Sequence, residues 1–290
     1  MTRFLDVRIS PVGGGLATVV GVCQATDTND YQSLDRDQLL ASVRGQHVLI
    51  ATHGFNVDRA RGIASLSNWE SLLQLPQSSA FVGLLWPGDS VWAHGLDYPE
   101  EPKIADDAGN LLAGFLDTYF ADAASISFAS HSLGARVVLA AVSQLSLPVR
   151  RVVLMAGAID DNCLSTEFQA VAAKIGEISI LASKKDGVLS AAFPLGNFFA
   201  GIIAEGHPWW SAALGHGGPS KPLPSNFQAP FEIPDNWNFE HGNYLQVDTQ
   251  AAPVLPIPTD VPPNGSPEPA LGAPGWQEAF SAAFASTRFR

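Results

Sequence analysis

Residues 126–141 read ISFASHSLGARVVLAA, and the reading of the whole chain turns on how that string breaks. Ser125 to Ala129 sets Ile126 and Phe128 among small residues, as a short buried strand does, whereas Ala135 to Leu145 supplies strong helix formers with apolar residues on more than one face. Between them stands Ser130-His131-Ser132-Leu133-Gly134. A serine between small neighbours at a strand-to-helix corner outlines a nucleophile elbow, where the hydroxyl stands clear of the backbone. Ser132 is therefore the candidate nucleophile. Ser130 replaces the first glycine of the usual GxSxG pattern while Gly134 keeps the second, so the assignment has to rest on the surroundings.

Working outward, His47–Ala51, Ala80–Leu85, Arg151–Met155 and Ile178–Ala182 are further short apolar runs. Helix-length stretches separate them: Ile63–Leu75, Ala105–Tyr119, Ala135–Leu145 and Glu167–Lys174. Strands alternating with helices predict a mostly parallel, doubly wound α/β sheet with right-handed crossovers. Before it, Phe4–Ile9 and Leu16–Cys23, joined across Pro11-Val12-Gly13-Gly14-Gly15, predict an antiparallel pair. One domain over residues 1–250 is expected, with the Trp-, Pro- and Gly-rich stretch 206–234 as either a cap or a long loop. Residues 251–274 read as a Pro-rich extended segment and 275–290 as a short helix whose Trp276, Phe280 and Phe284 share a face.

Composition excludes several functions. A chain of 290 residues that is 46% hydrophobic can bury a substantial core, and its net charge of −12 leaves no basic stripe for phosphates. Nucleic acid and anionic membranes are thus not expected partners. No run approaches the roughly 20 apolar residues of a membrane-spanning helix, and the N-terminus lacks a basic-then-apolar leader, so a cytoplasmic location is expected. Cys23 and Cys163 lie far apart with no metal-like spacing and are expected to be free thiols. The seven histidines lack HxH or HExxH spacing, and no phosphate loop or dinucleotide fingerprint occurs, so no metal and no cofactor is expected.

A serine hydroxyl needs a base, and the base an orienting group, on loops at the carboxyl ends of parallel strands. After the 47–51 run comes His53-Gly54-Phe55-Asn56, whose glycine lets backbone approach a ligand. After the 178–182 run, Asp186 lies a few residues past a strand end. His241, in Asn238-Phe239-Glu240-His241-Gly242-Asn243-Tyr244-Leu245, is the natural base. Asp160 and Asp161, which follow the 151–155 run, compete with Asp186 for the acid.

The order Ser132, Asp186, His241 and the placing of HGFN, SHSLG and HGNYL resemble the α/β-hydrolase superfamily over roughly residues 48–245, and within it a bacterial group of esterases and lipases with poorly defined substrates. The resemblance implies an α/β-hydrolase fold and acyl transfer. Ser132 would attack a carbonyl, His241 would carry the proton, and Asp186 would hold the imidazole. The amides of Phe55 and Leu133 would form the oxyanion hole. Trp86, His131 and Asn56 are candidate substrate-binding residues, His131 being equally a packing residue and Asn56, with Asp58, equally a turn cap. The leading expectation is carboxylic ester hydrolysis on a small-molecule or lipid ester. The same residues would serve an amidase, thioesterase or acyltransferase, and the fold alone could serve a noncatalytic binding protein. Oligomeric state is left open.

Overall fold

The parallel runs assemble as expected in a computed structural model of the chain, which describes residues 1–27, 29–73, 75–89, 101–192, 212–228, 231–233, 235 and 238–244. A nine-stranded sheet has the order β3-β2-β1-β5-β4-β6-β7-β8-β9. Its strands are β1 (Thr2–Arg8), β2 (Leu16–Ala25), β3 (Gln32–Ser33), β4 (His47–Thr52), β5 (Ser79–Leu85), β6 (Ser125–His131), β7 (Val149–Met155), β8 (Ile175–Ala182) and β9 (Phe231–Glu232). β1 with β2 and β2 with β3 are antiparallel, and every other pair is parallel.

Hydrophobic burial explains the central strands. Residues 48–52 of β4, 126–130 of β6 and all of β7 are buried, because helices cover both faces, and this is why these strands read as continuous apolar runs rather than alternating ones. α4 (Gly134–Gln144) buries every residue from Gly134 to Val142, since it packs on β6 and β7 and α3 (Glu101–Tyr119) packs closely along it. That sandwiching accounts for an apolar pattern wider than one face.

The differences from expectation have local causes. α2 (Arg59–Leu72) starts four residues before Ile63 because Asp58 accepts a hydrogen bond from the amide of Arg61 at 2.8 Å and caps the first turn. Asp35 does the same for the unforeseen α1 (Arg36–Val43), bonding the amide of Asp37 at 2.7 Å. The helix expected over 167–174 shrinks to α5 (Gln169–Ala172), because a 3₁₀ turn at Cys163–Ser165 ends in Thr166 at φ −123°, ψ −103°, outside the helical region. α6 (Gly187–Ala192) and α7 (Leu214–Gly217) were not foreseen.

Part of the 206–234 stretch is sheet edge. Phe227 bridges Ile178, and Phe231 and Glu232 pair with Leu181 and Ala182. Residues 206–211, the 251–274 segment and the 275–290 helix lie outside the described residues, as do Trp92, Phe193, Phe198, Phe199, Trp209 and Trp210. Among the described residues no helix is long and apolar enough to cross a membrane.

Topology places the site. From β4 the chain moves to β5 on one side, and from β6 to β7 on the other, so the strand order reverses between β4 and β6. Thr52 pairs with Ser130 across that boundary, which brings the residues after each strand to the same edge. Crevices at such switch points hold the ligands of open α/β sheets.

Candidate active site

The elbow is built first by backbone. Ser132 leaves β6 at φ 54°, in the left-handed region that non-glycine residues seldom occupy. Three hydrogen bonds hold it there: its amide donates to Met155 O at 3.0 Å, and its carbonyl accepts from Ala135 and Ala158 at 3.1 and 3.2 Å. The requirement for glycine falls on Gly134, where a Cβ would lie 2.5 Å from His53 O. Ser130 faces no such limit. It is buried within β6, paired with Thr52 and Leu154, and its hydroxyl finds no partner among the described residues. This is the physical reason why the motif departs from GxSxG at the first glycine only.

Beside the elbow lies the loop after β4. A Cβ on Gly54 would come within 2.6 Å of Ser132 Cβ, so the loop backbone and Ser132 meet here without a side chain between them. The loop's carbonyls are taken by buried donors. His53 Nδ1–H donates to Gly54 O at 2.9 Å, and the Trp86 indole donates to His53 O at 2.9 Å, with the two rings stacked at 5.8 Å. The Trp86 amide donates to His53 Nε2 at 3.4 Å, which fixes the neutral tautomer. Burial, the largest influence, pushes the His53 imidazole down to about 4. Asn56 takes φ 57° and donates its amide to Gly88 O at 2.6 Å.

The remaining side chains arrive from β8 and from the 241–244 turn. Asp186 is fully buried and uses both carboxylate oxygens: Oδ1 accepts the Leu189 amide at 3.0 Å, capping α6, and Oδ2 accepts His241 Nδ1–H at 2.7 Å. With Nδ1 protonated, His241 Nε2 is the acceptor, and it stands 2.9 Å from Ser132 Oγ. Two bonds fix the histidine turn: Ser183 Oγ–H donates to Phe239 O at 2.6 Å and His131 Nε2–H to His241 O at 2.7 Å. His131 also packs on the His241 and Tyr244 rings, at 4.7 and 5.8 Å. Burial first, and then the neighbouring His241, push the His131 imidazole down to about 3, so it is neutral.

Ser132, His241 and Asp186 thus stand in one hydrogen-bonded line across 109 and 55 residues of sequence. Asp160 is instead bridged to Ala213, and the Asp161 amide bonds Ala212 O. Leu133 is buried and its amide opens α4, one of the helix-start donors that lack an intrahelical acceptor. Phe55 is half-buried against the core. Trp86 is fully buried and committed to His53, so what it holds is the loop. Sequence reasoning missed Ser183, a common residue in an ordinary turn. It also missed Arg8, a buried guanidinium at the end of β1 that donates to Trp86 O and Val57 O, whose signal was a charged side chain at the end of an apolar strand. Among the described residues no group of His, Cys, Asp or Glu could hold a metal ion.

The family match agrees with this architecture. A family model described as alpha/beta hydrolase of unknown function (DUF900) matches residues 31–198. No curated protein sequence matches the chain. Among solved structures, a predicted CIB-like hydrolase from Thermoplasma acidophilum is 15% identical, with 78% of this chain and 84% of that one covered at a TM-score of 0.38. Carboxyl esterase 2 from the mycorrhizal fungus Tuber melanosporum is 12% identical, with 97% and 90% covered at 0.42. Lipase B from Aspergillus fumigatus is 14% identical, with 62% and 49% covered at 0.30.

Proposed function

From the premise that the chain belongs to this alpha/beta hydrolase family, we propose that it is a serine hydrolase that cleaves carboxylic esters through an acyl-enzyme on Ser132. The observation that carries the reading is the continuous line from Ser132 Oγ to His241 Nε2 at 2.9 Å and from His241 Nδ1 to Asp186 at 2.7 Å. His241 takes the serine proton as Oγ attacks the ester carbonyl, and Asp186 keeps the proton on Nδ1 and stabilises the imidazolium. The amides of Leu133 and Phe55 receive the oxyanion. His241 then gives its proton to the departing alkoxide. Water, activated by the same imidazole, releases the acid and frees Ser132. Esters are the natural choice because an alkoxide is a better leaving group than an amide nitrogen, so the acyl bond breaks with less assistance. Cys23 and Cys163, both buried free thiols, are in keeping with the reducing cytoplasm that we propose as its location.

A fluorophosphonate probe and a p-nitrophenyl ester series from acetate to palmitate test this directly. The wild type should label and turn over, and Ser132→Ala should lose the label and at least about 10³-fold in kcat. Equal labelling of the two proteins would overturn the nucleophile assignment. Labelling without turnover of any ester would move the substrate to an amide, a thioester or an acyl acceptor other than water.

A further inference from the structure

Arg8 ends β1, which runs parallel beside β5 and so delivers it to the same sheet edge as Ser132. Its side chain is 0% exposed. A guanidinium has five N–H donors in a rigid fork, and here every one is spent. Nε donates to Ser10 O at 3.1 Å, Nη1 to Trp86 O at 2.8 Å and to Val57 O at 3.2 Å, and Nη2 to Pro11 O at 3.4 Å and to the carboxylate of Asp89. The other oxygen of Asp89 accepts the Gly13 amide at 2.9 Å. One buried cation therefore ties the β1–β2 hairpin, the loop after β4 and the loop after β5 into a single body.

The consequence runs through planar peptides. Arg8 fixes Trp86 O, and the Trp86 amide and indole hold the ring and the carbonyl of His53. His53 Nδ1–H in turn holds Gly54 O. In a trans peptide the carbonyl of one residue and the N–H of the next point in opposite directions, so fixing Gly54 O fixes the direction of the Phe55 amide. On the far side of the loop Arg8 holds Val57 O, and the Asn56 amide is bonded to Gly88. We infer that Arg8, anchored by Asp89, is a positioning residue for the oxyanion-binding amide of Phe55. The inference rests on the serine-hydrolase reading. It also extends the site beyond the matched family region, which begins at residue 31.

Arg8→Lys is the test, because an ammonium keeps the charge but has three donors and no planar fork. Misplacing a catalytic group by about 1 Å can cost on the order of 10²-fold, so kcat for the preferred p-nitrophenyl ester should fall by about 30- to 100-fold. KM should stay within about threefold, since the hole acts on the transition state and not on the bound ester. A trifluoromethyl ketone, whose hemiketal oxyanion occupies the same hole, should bind more weakly by the same factor as kcat falls. A variant that melts earlier yet keeps kcat and ketone affinity within twofold would overturn the inference and leave Arg8 a structural residue. If Arg8→Lys does not fold, Asp89→Asn replaces it. That variant keeps the four carbonyl bonds and should lose about three- to tenfold in kcat and in ketone affinity together; no loss would overturn the inference. A wild type inert to esters and to the ketone would overturn both this inference and the hydrolase reading, whereas an active wild type with active variants would overturn this one alone.

Discussion

Ser132 and His241 meet across 2.9 Å, yet the loop beside the serine and the turn carrying the histidine are held by different kinds of interaction. On the serine side the restraint is backbone against backbone: a residue at φ 54° bonded to the end of β7, to the loop that follows it and to the first turn of α4, and glycines where a Cβ would strike His53 O or Ser132 itself. The histidine side is a four-residue turn, His241–Tyr244, restrained by side chains from the end of β6 and the loop after β8, namely His131, Ser183 and Asp186. Steric exclusion permits one residue type and leaves a local mark in the chain. Side-chain hydrogen bonds across 55 or 110 residues leave none. The difference also predicts where the site tolerates change.

Gly54→Ala should break the first region most severely. Its methyl would lie 2.6 Å from Ser132 Cβ and 3.2 Å from His131 O, so the loop must retreat and take the Phe55 amide with it. Losing one oxyanion donor costs on the order of 10²–10³ in kcat, and Gly54→Ala should lose that much with labelling slowed to match. A Cβ on Gly242, beside the histidine, would meet no described atom within 4 Å, and Gly242→Ala should stay within about twofold. Equal losses at both glycines would remove the contrast.

The same contrast explains what could be read from the chain alone. The apolar runs of β4, β6 and β7 were legible because they are buried on both faces, and the elbow because Ser132 and Gly134 answer steric demands within three residues. The order of Ser132, Asp186 and His241 could be read from strand ends. α6 could not, since a six-residue helix is too short to show a period and its visible signal is Asp186, read there only as an acid. Trp86 looked like a pocket wall because it follows a strand, and the bond from its indole to His53 O is a tertiary fact. Arg8 shows the limit most clearly: four of its acceptors are carbonyls, which every residue carries.

Acid should loosen both regions, because each relies on a neutral histidine. In the unfolded chain His53 and His131 titrate near 6.5, and burial brings them to about 4 and about 3 in the fold. Both states are neutral above pH 6.5, so the stabilisation is fully present there. Below it the unfolded chain takes up protons that the folded one refuses, and stability falls until the folded values are reached. Each histidine should cost about 2 kcal/mol between pH 7 and pH 5. Urea unfolding at the two pH values checks this, and His131→Gln, which keeps a donor for His241 O but cannot titrate, should recover roughly half of the loss. A pH 5 deficit identical in wild type and variant would mean that His131 is not one of the groups involved.

Ser130→Gly should have the smallest effect on kcat, and it probes the serine side where that side is least demanding. The substitution restores GxSxG. Glycine in a strand costs roughly 0.5–1 kcal/mol in chain entropy, while removing a buried hydroxyl that has no partner among the described residues returns a penalty of about 1–3 kcal/mol. The two oppose each other, so unfolding free energy should rise by between about zero and 2.5 kcal/mol, and kcat should move by less than about twofold. If kcat instead fell tenfold without loss of stability, the Ser130 hydroxyl would have to act within the site. The elbow would then need a hydrogen bond as well as space, and its restraint would be of the same kind as that on the histidine turn.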